Sequence, residues 1–360
     1  MYKIPENTEI FEIDKLPGQL SEIEKYEYIE NSIEERLEQL LRPYDSLFES
    51  EEFIFDDGLD SLSEEINGSL SPIPPFLFDE TMEEAPNAAN AYVCNSFIAL
   101  KGTPYERLLD KDKQLVADEP ENFGNELEYA ENHDDVNWVY VREDADWDSL
   151  ERIVNCYQKA AEDGVMDAYW CLGCFFDGAG SHYYDEDTFG LAYHYYMKAI
   201  ELGHLCSIQA IANRLETDKR WEESFKLTYV GAMKKEVFCM WRLAFHYLTG
   251  LYVGQSKDKA IALYKQIIET FESEDEADVA FVKKNYSRIR EDEMNELLEG
   301  ARHNLQIISG TDQQWEKYFD MKNIVAYNRA NDRLLRESCY GWVSEDGVED
   351  RLKQLMAEEL

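Results

Sequence analysis

Between residues 147 and 275 apolar positions recur at helical spacing, and one short phrase punctuates them four times. Tyr157-Gln-Lys-Ala160 returns as Tyr196-Met-Lys-Ala199, then as Tyr229-Val-Gly-Ala232, and more faintly as Tyr264-Lys-Gln-Ile267. The starts lie 39, 33 and 35 residues apart. A second pattern alternates with it: a small residue, an aliphatic residue four positions on, then another small residue. It reads Ala168, Leu172 and Gly173, then Ser207, Ile211 and Ala212, then Cys239, Leu243 and Ala244. Two alternating helical patterns with a period in the thirties predict stacked helical hairpins. Small residues let helices approach closely, and the aliphatic residue one turn on fills the groove. Ile153, Ala192, Phe225 and Ala260 stand four residues before the tyrosines and complete an inward stripe, so the phrase reads as packing.

The predicted repeat helices run over 148–162, 166–176, 189–202, 206–216, 222–235, 238–249 and 257–271, with Gly203 as a natural left-handed residue beyond one of them,. Residues 277–308 read as a further hairpin without the phrase, and 312–337 and 346–359 as closing helices, the atypical end that a solenoid requires,. Upstream, Ile23, Tyr26, Ile29, Ile33, Leu37 and Leu40 mark one face of a helix over 21–41, opened by a capping box of Ser21 and Glu24 and stopped before Pro43,. Phe53-Ile-Phe55 is expected as a short strand or a docked loop,. Residues 71–76 are expected to be extended by their prolines, 88–100 and 106–118 to be helical, and 137–142 to form a strand or extended connector,. The chain thus divides into an acidic N-terminal region over 1–145, repeat hairpins over 146–275 and a helical cap over 276–360. Its fold class is mostly α, a superhelical repeat solenoid.

Charge changes this picture. Across 360 residues, 35 Lys and Arg face 76 Asp and Glu, a net charge of −41. Residues 1–150 hold 39 acids and 10 bases, hence −29, and from Pro43 to Leu100 there are 13 acids and no Lys or Arg. Nucleic acid and anionic membranes would be repelled, whereas a basic protein would be steered in. The start Met1-Tyr-Lys-Ile-Pro-Glu has no apolar leader and no run of 18 apolar residues occurs, so a cytoplasmic location is expected,. Seven cysteines without framework spacing read as reduced thiols,.

The phrases also carry a resemblance. Tyr-x-Lys-Ala-(Ala/Ile)-Glu-x-Gly at 157–164 and 196–203 is similar to the B helix of Sel-one-like repeats, relatives of the tetratricopeptide repeat. Leu172-Gly173 with Phe176 and Gly178-Ala-Gly180 resembles that family's A helix and glycine turn, and Leu243-Ala244 with Tyr247 and Gly250 a weaker copy. The second copy lacks the glycine turn and has a short linker at Thr217-Asp-Lys. The resemblance covers about a third of the chain. It implies an α/α superhelix that scaffolds protein complexes; the family includes adaptors and, in bacteria, proteins encoded beside secreted toxins. It implies no shared catalytic residue.

On each A helix the face opposite the small-residue stripe is expected to look outward. It carries Trp170, Gln209 and Trp241, and one turn further Cys174, Asn213 and Phe245; exposed tryptophans would serve as binding anchors, the alternative being that Trp170 and Trp241 pack on neighbouring elements such as the N-terminal region. Asp56, Asp57, Asp60, Glu64 and Glu65 are the expected acids for steering a basic partner,.

Other chemistry is poorly served. Cys171-Leu-Gly-Cys174 has the form of a redox or zinc motif, yet it falls inside the repeat pattern and no second pair follows at ligand spacing,. The six histidines form no metal-binding cluster. Residues 110–121 match several calcium-loop offsets, but Leu115 stands where the turn needs glycine; 144–155 begins similarly, with Asn155 where the bidentate Glu belongs,. Gly178-Ala-Gly180-Ser lacks the lysine and strand–helix setting of a phosphate loop,. The expectation is a non-catalytic protein-binding protein without cofactor or metal: a bacterial immunity-type inhibitor that neutralises a basic secreted toxin, or alternatively a general scaffold or adaptor working through its repeat groove.

Overall fold

Four helices in the repeat region end in the same way. Val165 N donates to the Ala160 carbonyl at 2.9 Å, His204 N to Ala199 at 2.9 Å, Arg220 N to Leu215 at 2.7 Å and Glu236 N to Gly231 at 2.9 Å. Each closure reaches back five residues and satisfies a carbonyl the helix leaves open, which requires a left-handed residue just before the donor. Gly164 and Gly203 supply it at φ +93° and +90°. The other two ends use Lys219 and Lys235, at +60° and +65°, where no glycine marks the turn in the sequence.

The structure, a computed structural model, describes residues 34–66, 96–98, 138–140, 156–177, 189–286, 291–309, 314–339 and 348–360. Within these it is mostly helical. Helix α1 covers 34–41, followed by α2 (Asp45–Phe48) and α3 (Asp57–Ile66). Strands β1 (Ser96–Ile98) and β2 (Trp138–Tyr140) precede α4, described over 156–162. Then come α5 (Met166–Asp177), α6 (Phe189–Glu201), α7 (Cys206–Thr217), α8 (Trp221–Met233), α9 (Val237–Thr249) and α10 (Lys257–Glu272). The remainder is α11 (Glu276–Tyr286), α12 (Glu291–Ser309), α13 (Gln314–Tyr318), α14 (Met321–Cys339) and α15 (Val348–Glu359). The expectations for 71–76, 106–118, the two calcium-like segments and Gly178-Ala-Gly180 lie outside the described residues.

One expectation is corrected. Residues 88–100 were expected to be helical, but 96–98 form a strand, paired antiparallel with Trp138–Tyr140 so that Phe97 faces Val139. Aromatic and β-branched side chains suit a pleated pairing, and the partner strand decides a short apolar run that periodicity leaves ambiguous.

The chain forms two units, and the division falls inside α7, between Ile211 and Ala212. Among the described residues, the first holds 34–43, both strands and 156–211 with the gap noted above; the second holds 44–66 and everything from 212 onward.

In the first unit α5 packs on α6 and on β1. The Phe176 ring stacks on Tyr195 at 5.5 Å, and Gln158 of α4 donates to the Tyr195 hydroxyl at 2.6 Å. Gly173 is dictated by this packing: a Cβ there would overlap the Tyr196 ring, 2.9 Å from its Cγ. In the second unit α8 packs on α9, α9 on α10, and α10 on both α11 and α12, while α14 pairs with α15. Phe245 meets Phe319 edge to face at 6.5 Å, Trp241 meets Tyr264 likewise at 6.5 Å, and Asn304 of α12 donates to the Tyr264 hydroxyl at 3.0 Å. Consecutive helices packing in sequence order fit an all-α repeat architecture.

Candidate functional site

The residues expected as an outward binding face are instead interior. Trp170 is 3% exposed and stacks on His204 with ring centres 5.2 Å apart. Gln209 is buried, Trp241 is 2% exposed, and Phe245 is buried against Phe319. Cys174 is also buried. Asn213 is half-buried and accepts from Arg242. Neighbouring elements of the chain cover this face: a helical wheel separates two faces of a helix but cannot say that both are buried. Of the expected acids, Asp56 is exposed and its carboxylate accepts the Gly58 N–H at 2.8 Å, opening α3. Asp57, Asp60, Glu64 and Glu65 fall on α3, with side chains outside the described ones.

The tyrosine phrase is packing, as its spacing predicts. Tyr157, Tyr196 and Tyr264 are buried with their partners Ala160, Ala199 and Ile267, while Tyr229 is half-buried. The A-helix residues Ala168, Leu172, Ser207, Ile211, Cys239 and Ala244 are buried too.

Two polar constellations that the sequence reading missed lie inside the protein. The first brings Asp167, His204 and Ser207 together in the first unit. His204 Nδ1 lies 2.9 Å from the Ser207 hydroxyl and accepts the Ser207 N–H at 3.2 Å; its Nε2 lies 3.9 Å from Asp167. Burial pushes the imidazole down to about 3, so it is neutral, with its proton on Nε2, and the Asp167 contact is no ion pair,. The residue types are those of a hydrolytic triad, but Ser207 is wholly buried and its own backbone N–H competes for the same ring nitrogen. The geometry is that of a cap at the start of α7.

The second constellation holds α7, α8 and α9 together within the second unit. Arg242 is buried and donates to Asn213 and Glu216; Ser224 donates to Glu216 at 3.2 Å and to the Ala212 carbonyl at 2.8 Å. Glu236 opens α9, its Oε2 accepting the Cys239 N–H at 2.6 Å, while Oε1 has no hydrogen-bond partner. Burial pushes the Glu236 carboxyl up to about 7, against the opposing pull of backbone N–H groups and Arg242. His246, one turn beyond Arg242, is pushed down to about 3 by burial and by the arginine charge. Among the described residues no solvent-exposed nucleophile joins either cluster, and no group of three metal-ligating side chains converges.

A third feature is the docking of residues 48–56 in the second unit. Phe53 bridges Val253 across antiparallel backbone; Ile54 N donates to Tyr252 O and Gly254 N to Glu52 O, both at 2.9 Å. Phe53 and Phe55 turn inward on Phe225, Tyr229 and Tyr252, while Ile54 between them is exposed. Lys226 lies over the Phe55 and Phe48 rings at 4.8 and 5.8 Å, and Lys259 pairs with Glu52. The alternation of Phe53 and Phe55 was the signal in the sequence; nothing there told which surface would receive them.

Surface charge completes the site description. Arg42, Arg220, Lys226, Lys259, Arg302 and Arg333 each hold a carboxylate of the chain. Among the described residues, exposed acids such as Glu49, Glu51, Glu269, Glu274, Glu276 and Glu296 form no such ion pair. The chain matches no protein-family model, no curated protein and no solved structure. Among the described residues no helix is long and apolar enough to cross a membrane.

Proposed function

We propose that this chain is a non-catalytic binding protein of the Sel-one-like repeat kind that captures a basic protein, and that its partner is a secreted bacterial toxin which it neutralises. The observation that carries this reading is the charge: −41 overall, with several basic side chains, among them Lys259, Arg302 and Arg333, paired to the chain's own carboxylates while many acids stay exposed. Such a field accelerates encounter with a cationic partner and opposes nucleic acid. The mostly helical hairpin architecture and the two good copies of the phrase support the family resemblance.

Affinity capture on the intact chain, with mass spectrometry of what is retained, tests the proposal when the captured protein is purified and its activity assayed with and without the chain. A basic partner whose toxicity is suppressed at a one-to-one ratio is expected. A partner that stays fully active when bound would refer the chain to the adaptor class, and turnover of any added substrate would end the non-catalytic reading.

A further inference from the structure

We propose that the surface formed by α8 and the turn joining α9 to α10 is a peptide-recognition site for an acidic, phenylalanine-bearing segment of a protein partner, and that residues 48–56 are its occupant in cis. The site goes beyond the capture of a basic protein: it lies beneath the segment that carries Asp56, where lysines and aromatic rings face the bound segment.

Four observations carry it. The occupant is held in the manner of an added strand: two main-chain hydrogen bonds at 2.9 Å flank the Phe53–Val253 bridge, and alternate side chains enter,. Phe53 lies 5.1 Å edge to face from Tyr229, and Phe55 6.1 Å from Phe225, so the inward rings meet an aromatic floor. In a chain of net charge −41, this floor is bordered by Lys226, over two of the occupant's rings, and by Lys259, on its Glu52 carboxylate. Last, the turn is strained. Tyr252 is buried at φ +63°, a region costly for an aromatic residue,. The occupying stretch holds its backbone, the Tyr252 carbonyl accepting from Ile54 N at 2.9 Å, while its hydroxyl lies 2.7 Å from the Ser63 hydroxyl on the α3 that follows. In this proposal the costly backbone conformation relaxes when the segment leaves, so that a competing ligand can bias the equilibrium. The pattern the site reads is acid-Phe-x-Phe, with the position between the rings left to solvent.

A labelled peptide of residues 44–66, titrated by fluorescence anisotropy into the full-length chain, tests the site. Wild type, filled in cis, is expected to bind it at least tenfold more weakly than the Phe53→Ala/Phe55→Ala chain, and the peptide is expected to raise the melting temperature of that variant. Phe55 is only half-buried, so the single Phe55→Ala chain serves as a milder second acceptor. The proposal is overturned if neither variant takes up the peptide saturably, if a scrambled peptide of the same composition binds equally, or if Phe55→Ala alone loses its helical circular dichroism, which would make the segment plain core. Dimerisation of the wild type by exchange of 44–66, seen by sedimentation, would assign the site to a second copy instead. None of these outcomes depends on the basic partner, so the two readings fail separately.

Discussion

Replacing Glu236 by Gln is expected to change how stability depends on pH. The carboxyl is fully buried at the start of α9, with one oxygen on the Cys239 N–H at 2.6 Å and the other unpartnered. Burial lifts it from 4.5 to about 7. The folded chain therefore keeps this proton up to about pH 7, whereas the unfolded chain releases it near 4.5. Between those values the folded state binds more protons, so this group's contribution to stability falls as pH rises, the reverse of an ordinary paired carboxylate. The interval from 4.5 to about 7, at 1.36 kcal/mol per pH unit, corresponds to about 3 kcal/mol,. Glu236→Gln retains an acceptor for Cys239 and cannot ionise. In urea titrations followed by tryptophan fluorescence, the variant should gain about 3 kcal/mol on wild type between about pH 5 and about pH 8. A difference that stays constant across that range would show that the carboxyl ionises normally in the fold, and would refute the reasoning.

Three further predictions rest on the same packing. Gly173→Ala forces a methyl into the Tyr196 ring; a loss of about 1–3 kcal/mol in urea unfolding is expected. Lys235→Gly removes a side chain from the left-handed end of α8, at φ +65°, and should stabilise by about 1 kcal/mol, read as a higher urea midpoint with an unchanged slope. Glu216→Ala leaves Arg242 buried without its carboxylate and should cost about 3 kcal/mol or more, while replacing both residues by apolar ones of similar size should recover much of that loss.

How far the sequence carries the fold can be judged at particular residues. Tyr157, Tyr196, Tyr264, Leu172 and Ala244 are interior because their spacing of three and four residues placed them on one helix face, and periodicity reports burial directly,. Gly203 was legible as a helix end because glycine marks the left-handed position. The equivalent ends at Lys219 and Lys235 were not, since a lysine held there by long-range packing leaves no local sign. Trp170 and Trp241 show the converse limit: the face opposite the repeat stripe was known, but what covers it depends on segments distant in sequence. The same holds for Arg242 and Glu216, separated by 26 positions, and for Phe53 and Val253, joined across the chain. Ser96–Ile98 was misread because a three-residue strand takes its identity from its partner.

Capture of a basic protein partner by an acidic, non-catalytic repeat protein is the central claim, and stopped-flow association with the purified partner tests it most directly. The rate constant should fall by roughly tenfold or more as salt rises from low to physiological strength, and reversing the charges of Asp56, Asp57, Asp60, Glu64 and Glu65 should slow association at low salt while leaving dissociation nearly unchanged. An association rate indifferent to salt, and unmoved by the charge reversal, would contradict the account.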